Sequence, residues 1–195
     1  MFKRPFILCC VLSLPLSFCA CRAERQANTT ARVSNSNATL TNRASIKISS
    51  TVFTEGELIP RPYTCDGPNV SPSLRWDSVP TSARTLAIIC EDPDAPSRTW
   101  THWTLYNLPA DTKGLIENVP KQEKLAGGGL QGLNDFRQLG YDGPCPPAGS
   151  HRYYFKLYAL DAELPLEPGA TKEQLLQAME GHIVGEGQLM GKYQR

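Results

Sequence analysis

Hydrophobic residues along this chain fall in short runs bounded by Pro, Gly, Asp and Asn, a pattern that predicts strands joined by turn-rich loops. Five segments carry it: 46–53, 85–91, 101–107, 153–160 and 187–193. The apolar run 86–90 predicts that Cys90 is a buried, inert thiol. Trp76, in the string SLRWD, reads as core. One helix is well marked near the C-terminus. Thr171 followed three residues on by Gln174 forms a capping box, Leu175, Leu176 and Met179 supply an apolar stripe, and Gly181 is the stop. No internal repeat is visible, so residues 45–195 read as one domain.

Composition strengthens the β reading. Sixteen Pro and fifteen Gly in 195 residues, with 41% apolar and 8% aromatic residues, suit a loop-rich, mainly β domain with a sizeable core. Twenty Lys plus Arg against nineteen Asp plus Glu give a formal charge of +1, too little to draw the domain to nucleic acid.

The first twenty residues change the compartment. Lys3 and Arg4 precede an apolar stretch too short for a membrane span, so 1–20 reads as a secretion signal. Ala20 directly before Cys21 matches a bacterial lipoprotein cleavage site, which predicts export, to the periplasm or as a lipoprotein with Cys21 lipidated. Ordinary signal cleavage without lipid is the alternative. Either cut removes Lys3 and Arg4 and no acid, taking the formal charge from +1 to −1. Residues 21–44 are rich in Asn, Thr, Ser and Ala, and read as a flexible polar tether. Of the seven cysteines, Cys65, Cys90 and Cys145 then remain in the folded domain, in an oxidising space. Cys65 and Cys145 lie in Gly/Pro-rich loops and are the better disulfide candidates, with an intermolecular bridge through a leftover thiol still open.

Side chains capable of chemistry are concentrated in three places. Asp92 to Pro96 (DPDAP) follows a strand, Trp100 to Trp103 (WTHW) opens the next, and 143–147 (GPCPP) leads to 151–155 (HRYYF). A carboxylate, two imidazoles and a phenol at strand ends suit a small polar pocket for an anion, with Asp orienting one imidazole. The same Asp92, His102 and His151 have the composition of a two-His, one-carboxylate metal site. A free Cys145 beside His151 would instead suit a Cys–His hydrolase.

These motifs, with CDGPNVSPSLRW at 65–76, NDF at 134–136 and GATKEQLLQAM from Gly169, resemble the phosphatidylethanolamine-binding protein superfamily. The likeness is greatest to its bacterial branch, the Raf kinase inhibitor-like proteins, and covers about residues 46–195. The resemblance implies an antiparallel β-sandwich with Greek-key connections and a few peripheral helices. It implies a ligand pocket of Asp92, Pro96, Trp100, His102, Cys145, Pro147, His151 and Tyr153, with the backbone at Cys145 as a donor. A Cys65–Cys145 disulfide follows from the same likeness, as does a homodimer.

The expected function is a non-catalytic binding module for a small anion, phosphate, carboxylate or a phospholipid head group, without cofactor or metal. His102, His151 and Tyr153 would hold ligand oxygens, while Asp92 fixes an imidazole or meets a ligand amine. The alternative is an inhibitor of a kinase or protease acting through its surface.

Overall fold

The computed structural model describes residues 43–195. The expected signal at 1–20, the lipidation site Cys21 and most of the expected tether therefore lie outside the described residues. Two sheets face each other. The larger has the strand order β1-β9-β8-β4-β5-β7 and the smaller β2-β3-β6. In the large sheet β1 is Ala44–Ser45, β4 Thr85–Asp92, β5 Trp100–Pro109, β7 Leu130–Gln131, β8 Ser150–Leu160 and β9 Ile183–Gln194. In the small sheet β2 is Lys47–Ser49, β3 Leu74–Asp77 and β6 Gly114–Leu115. Among the described residues one helix, α1, spans Lys172–Met179, and a single 3₁₀ turn spans Arg61–Tyr63.

Alternation along the strands builds the core. On β8, Tyr153, Phe155, Leu157 and Ala159 point inward, and Arg152, Tyr154, Lys156 and Tyr158 point outward. On β4, Leu86, Ile88 and Cys90 meet the inter-sheet core, where Trp76, Trp103 and Tyr141 also pack. The opposite face of β4 is buried as well. Ala87 and Ile89 are covered by Leu175 and Met179 of α1, which is why this strand reads as an unbroken apolar run. The capping box expected at Thr171 is formed in both directions with Gln174.

Of the segment 46–53, expected as one strand, only Lys47–Ser49 is a strand, in the small sheet, while the two residues before Ile46 belong to the large one. Ala44 and Ser45 pair parallel with Gly185 and Glu186, whereas Lys47 to Ser49 pair antiparallel with Asp77, Trp76 and Arg75. The chain changes sheets at Ile46, whose side chain enters the core and whose amide donates to the Glu186 carbonyl. It lies so close to β9 that a Cβ on Gly187 would come within 2.0 Å of the Ile46 carbonyl oxygen. Among the strands of the described residues, β1 and β9 pair parallel and the other pairs are antiparallel.

Candidate functional site

The adjacent ends of β4, β5 and β8 and the loops around them enclose a pocket of about 220 Å³. Asp92, Ala95, Pro96, Ser97, Trp100, His102, Phe136, Cys145, Pro147 and His151 line it. Of the residues expected here, only Tyr153 is missing from that lining. It follows His151 by two positions on the inward face of β8, which carries its ring one step deeper into the core, behind His102 at 5.2 Å between centroids.

Strand register explains how His102 reaches the site. Thr101 pairs with Glu91 and Trp103 with Cys90, so His102 has no residue opposite and occupies a bulge. Bulges of this kind re-aim a side chain beside a site. The ring is then locked from behind: Nδ1 lies 2.6 Å from the Asp142 carbonyl oxygen. A carbonyl only accepts, so Nδ1 carries the proton and Nε2 is the remaining ring nitrogen. Burial holds the His102 pKa below the ordinary imidazole value, against the Asp142 carbonyl and the Asp92 charge, which favour the proton.

His151 is oriented in the same way by a different partner. Its Nδ1 lies 2.7 Å from Asp92 Oδ2, and both residues are buried. Asp92 Oδ1 accepts from the Asp94 amide at 2.8 Å. Of the two roles expected for Asp92, this is the fixing of an imidazole. Tyr153 has a buried hydroxyl without a hydrogen-bond partner, and burial together with the Asp92 carboxylate pushes its pKa up. Trp100 Nε1 is likewise buried and unpartnered.

The wall opposite the strands is a tied loop. Cys65 and Cys145 form a disulfide, with 5.4 Å between Cα atoms and a sequence separation of 80. The Cys145 sulfur is therefore no thiolate, and the Cys–His hydrolase reading has lost its nucleophile. Cys90 is a free thiol, fully buried. Gly143 brings this loop against the one at 63–69, since a Cβ there would lie 2.1 Å from the Tyr63 carbonyl oxygen. Asn69, at φ +59°, accepts from the Gly143 amide at 2.7 Å and donates to Asp142 Oδ1. Among the described residues, no group of three or more His, Cys, Asp or Glu side chains is arranged to hold a metal ion.

Several contributors carry no role in the sequence reading. Phe136 is 41% exposed at the pocket mouth, edge-on to both Trp100 and His102. Its only signal was its place in the NDF string. Asp142 positions His102 and is itself held by Asn69, Asn134 and Lys121. Lys121 lies 2.6 Å from Asp142. Nothing in the local sequence joins residues that far apart.

Known proteins share this fold. A family model described as phosphatidylethanolamine-binding protein matches residues 49–194. A UPF0098 protein of Methanothermobacter thermautotrophicus is 59% identical over 143 residues, covering 73% of this chain and 95% of its own length. A UPF0098 protein of Chlamydia muridarum is 43% identical over 155 residues, covering 77% and 99%. The crystal structure of a phosphatidylethanolamine-binding protein homolog from Chlamydia trachomatis matches with a TM-score of 0.72 at 42% identity, over 77% of this chain and 98% of that one. Escherichia coli YbcL, described as a new member of the mammalian family, matches at 0.73 and 31% identity, over 78% and 99%. With the family model spanning the domain, relatives covered almost end to end and two solved structures of the same fold, this chain belongs to the phosphatidylethanolamine-binding protein family.

Proposed function

We propose that this family member is a non-catalytic binding protein whose pocket takes a small anion, a phosphate or carboxylate group, free or as a phospholipid head group. The observation that carries the reading is the pair of imidazoles lining one pocket, each tied at Nδ1 to a fixed acceptor and each keeping Nε2 for a ligand. Trp100 Nε1 and the Tyr153 hydroxyl, both without partners, are further donors at or behind the wall. A volume of about 220 Å³ falls below the 300–1,000 Å³ typical of pockets for larger organic ligands, and suits a head group. Export and a lipid at Cys21 would hold this pocket near a membrane surface.

Titration of inorganic phosphate into His102→Asn and His151→Asn tests the reading. Asparagine keeps a donor for the partner at Nδ1 and deletes Nε2, so each variant should lose about tenfold in affinity, the scale of one charge-assisted hydrogen bond. Unchanged affinity in both variants would refute it.

A further inference from the structure

The two sulfurs of the disulfide stand in different electrostatic surroundings. Cys65 and Cys145 are both half-buried, so solvent reaches each residue. Among the described residues, Arg195 is the side chain that donates to either sulfur, with Nη1 3.6 Å from Cys145 Sγ. Arg195 Nη2 donates to Asp66 Oδ1 at 2.8 Å. The guanidinium therefore bridges the Cys145 sulfur and the carboxylate that follows Cys65 in sequence. The Tyr193 hydroxyl, with the charges of Arg195 and Arg61, holds the Asp66 carboxyl below its ordinary range, so it stays an anion. A cation touches one sulfur, and an anion is next in sequence to the other.

Thiol–disulfide exchange depends on that difference. The attacking sulfur, the sulfur it strikes and the sulfur it expels share the negative charge, and the sulfur with the more stable thiolate leaves faster. A guanidinium within reach stabilises a thiolate, and a neighbouring carboxylate opposes it. Expelling Cys145 delivers the charge to Arg195, whereas expelling Cys65 delivers it next to Asp66. The Cys65 amide offers its sulfur no help, because it donates to the Pro144 carbonyl at 3.1 Å. Access is narrow, since Pro144 and Pro146 on either side of Cys145 are buried. That favours a slender thiol over the surface of a protein.

We propose that Cys65 is a site of reversible S-thiolation by a low-molecular-weight thiol, with Cys145 as the resolving cysteine and Arg195 as the residue that positions its thiolate. The incoming thiolate forms a bond to Cys65 Sγ, the bond between the two Sγ atoms breaks, and its electron pair leaves on Cys145 Sγ. One disulfide is consumed and one mixed disulfide is formed, so no oxidant or reductant is needed. The return step is the reverse: the Cys145 thiolate attacks Cys65 Sγ and releases the small thiol as its thiolate.

The test exposes the oxidised full chain to glutathione under native conditions, traps free thiols early with N-ethylmaleimide, and maps each cysteine by mass spectrometry. Glutathione on Cys65 with maleimide on Cys145 should exceed the reverse arrangement by about fivefold, the scale of one exposed charge pair. An even mixture, an excess of the reverse, or no adduct at all would overturn the proposal. Cys90, fully buried, reports whether the domain was folded when it reacted. Adduct confined to molecules with Cys90 also labelled would overturn the proposal, because exchange would then belong to the unfolded chain. Arg195→Ala should bring the ratio close to one, and Arg195→Lys, which keeps the cation, should restore most of it. Asp66→Asn separates charge from anchoring. It removes the anion and loosens the hold on Arg195, and the preference for Cys65 should persist. A loss equal to that of Arg195→Ala would assign the direction to loop mobility and overturn the role of the guanidinium.

Discussion

His102 meets an anion with a lone pair. Its Nδ1 proton belongs to the Asp142 carbonyl, so neutral Nε2 can only accept, and so can every oxygen of a fully ionised anion such as sulfate. Binding there requires Nε2 to take up a proton against the burial that lowers its pKa. The titratable and charged groups around it are Asp92 from β4, His151 from β8, Asp142 from the loop before β8 and its partner Lys121 from the loop between β6 and β7. Sulfate keeps its charge across neutral pH and is the cleaner probe. Its affinity should fall about tenfold per pH unit above the ordinary imidazole value of ~6.5, with a binding heat that varies with the buffer's ionisation enthalpy. A flat profile from pH ~5 to ~8 would assign the anion to neutral donors such as Trp100 Nε1. The ligand-free protein carries the complementary dependence. Unfolded His102 titrates near ~6.5 and the folded residue lower, so its contribution to stability is complete above ~6.5 and is lost as pH falls toward the folded value. Urea midpoints should drop more on acidification in the wild type than in His102→Asn.

At the level of elements, α1 is held by a cap as well as by its buried face. Thr171→Ala removes the acceptor for the Gln174 amide and should cost about 1 kcal/mol, a fall in melting temperature of roughly 2–4 °C for a domain of this size. Thermal denaturation followed by circular dichroism reads it directly. The cap, the helix and the four long strands were legible because each has a local cause: a Thr three residues before Gln, or a run of alternating or continuous apolar side chains. β3, β6 and β7 have only two to four residues, too few for alternation to register, and they exist because a neighbouring strand offers an edge. The division at Ile46 was hidden for a related reason. Both of its halves are extended, and only the partners, β9 on one side and β3 on the other, differ. The pocket was legible as motifs and opaque as bonds. Asp92 and His151 are 59 residues apart, and the acceptor for His102 is a backbone carbonyl, which leaves no trace in side-chain identity.

At the scale of the molecule, a covalent link ties the loop after the 3₁₀ turn to the loop before β8. Closing a loop of 80 residues restricts the unfolded ensemble, and reduction should lower stability by at most about 4.5 kcal/mol. Guanidinium melts with and without reductant measure this. Cys90 reports the same equilibrium, since burial raises its pKa well above the usual thiol value and hides its sulfur. It should alkylate only on unfolding, and faster in the reduced protein. A domain with the disulfide intact and Cys90 labelled rapidly under native conditions would contradict the buried placement.

The same link sets how far the molecule can be stretched. Pulled from its ends, the oxidised chain can pay out only the segments before Cys65 and after Cys145, while the stretch between them, a sequence separation of 80, stays short-circuited by two sulfur atoms. Reduction would release about 270 Å of hidden contour length, at ~3.4 Å per residue. Single-molecule extension would then show β4 and β5 as mechanically silent in one redox state and as part of the tether in the other.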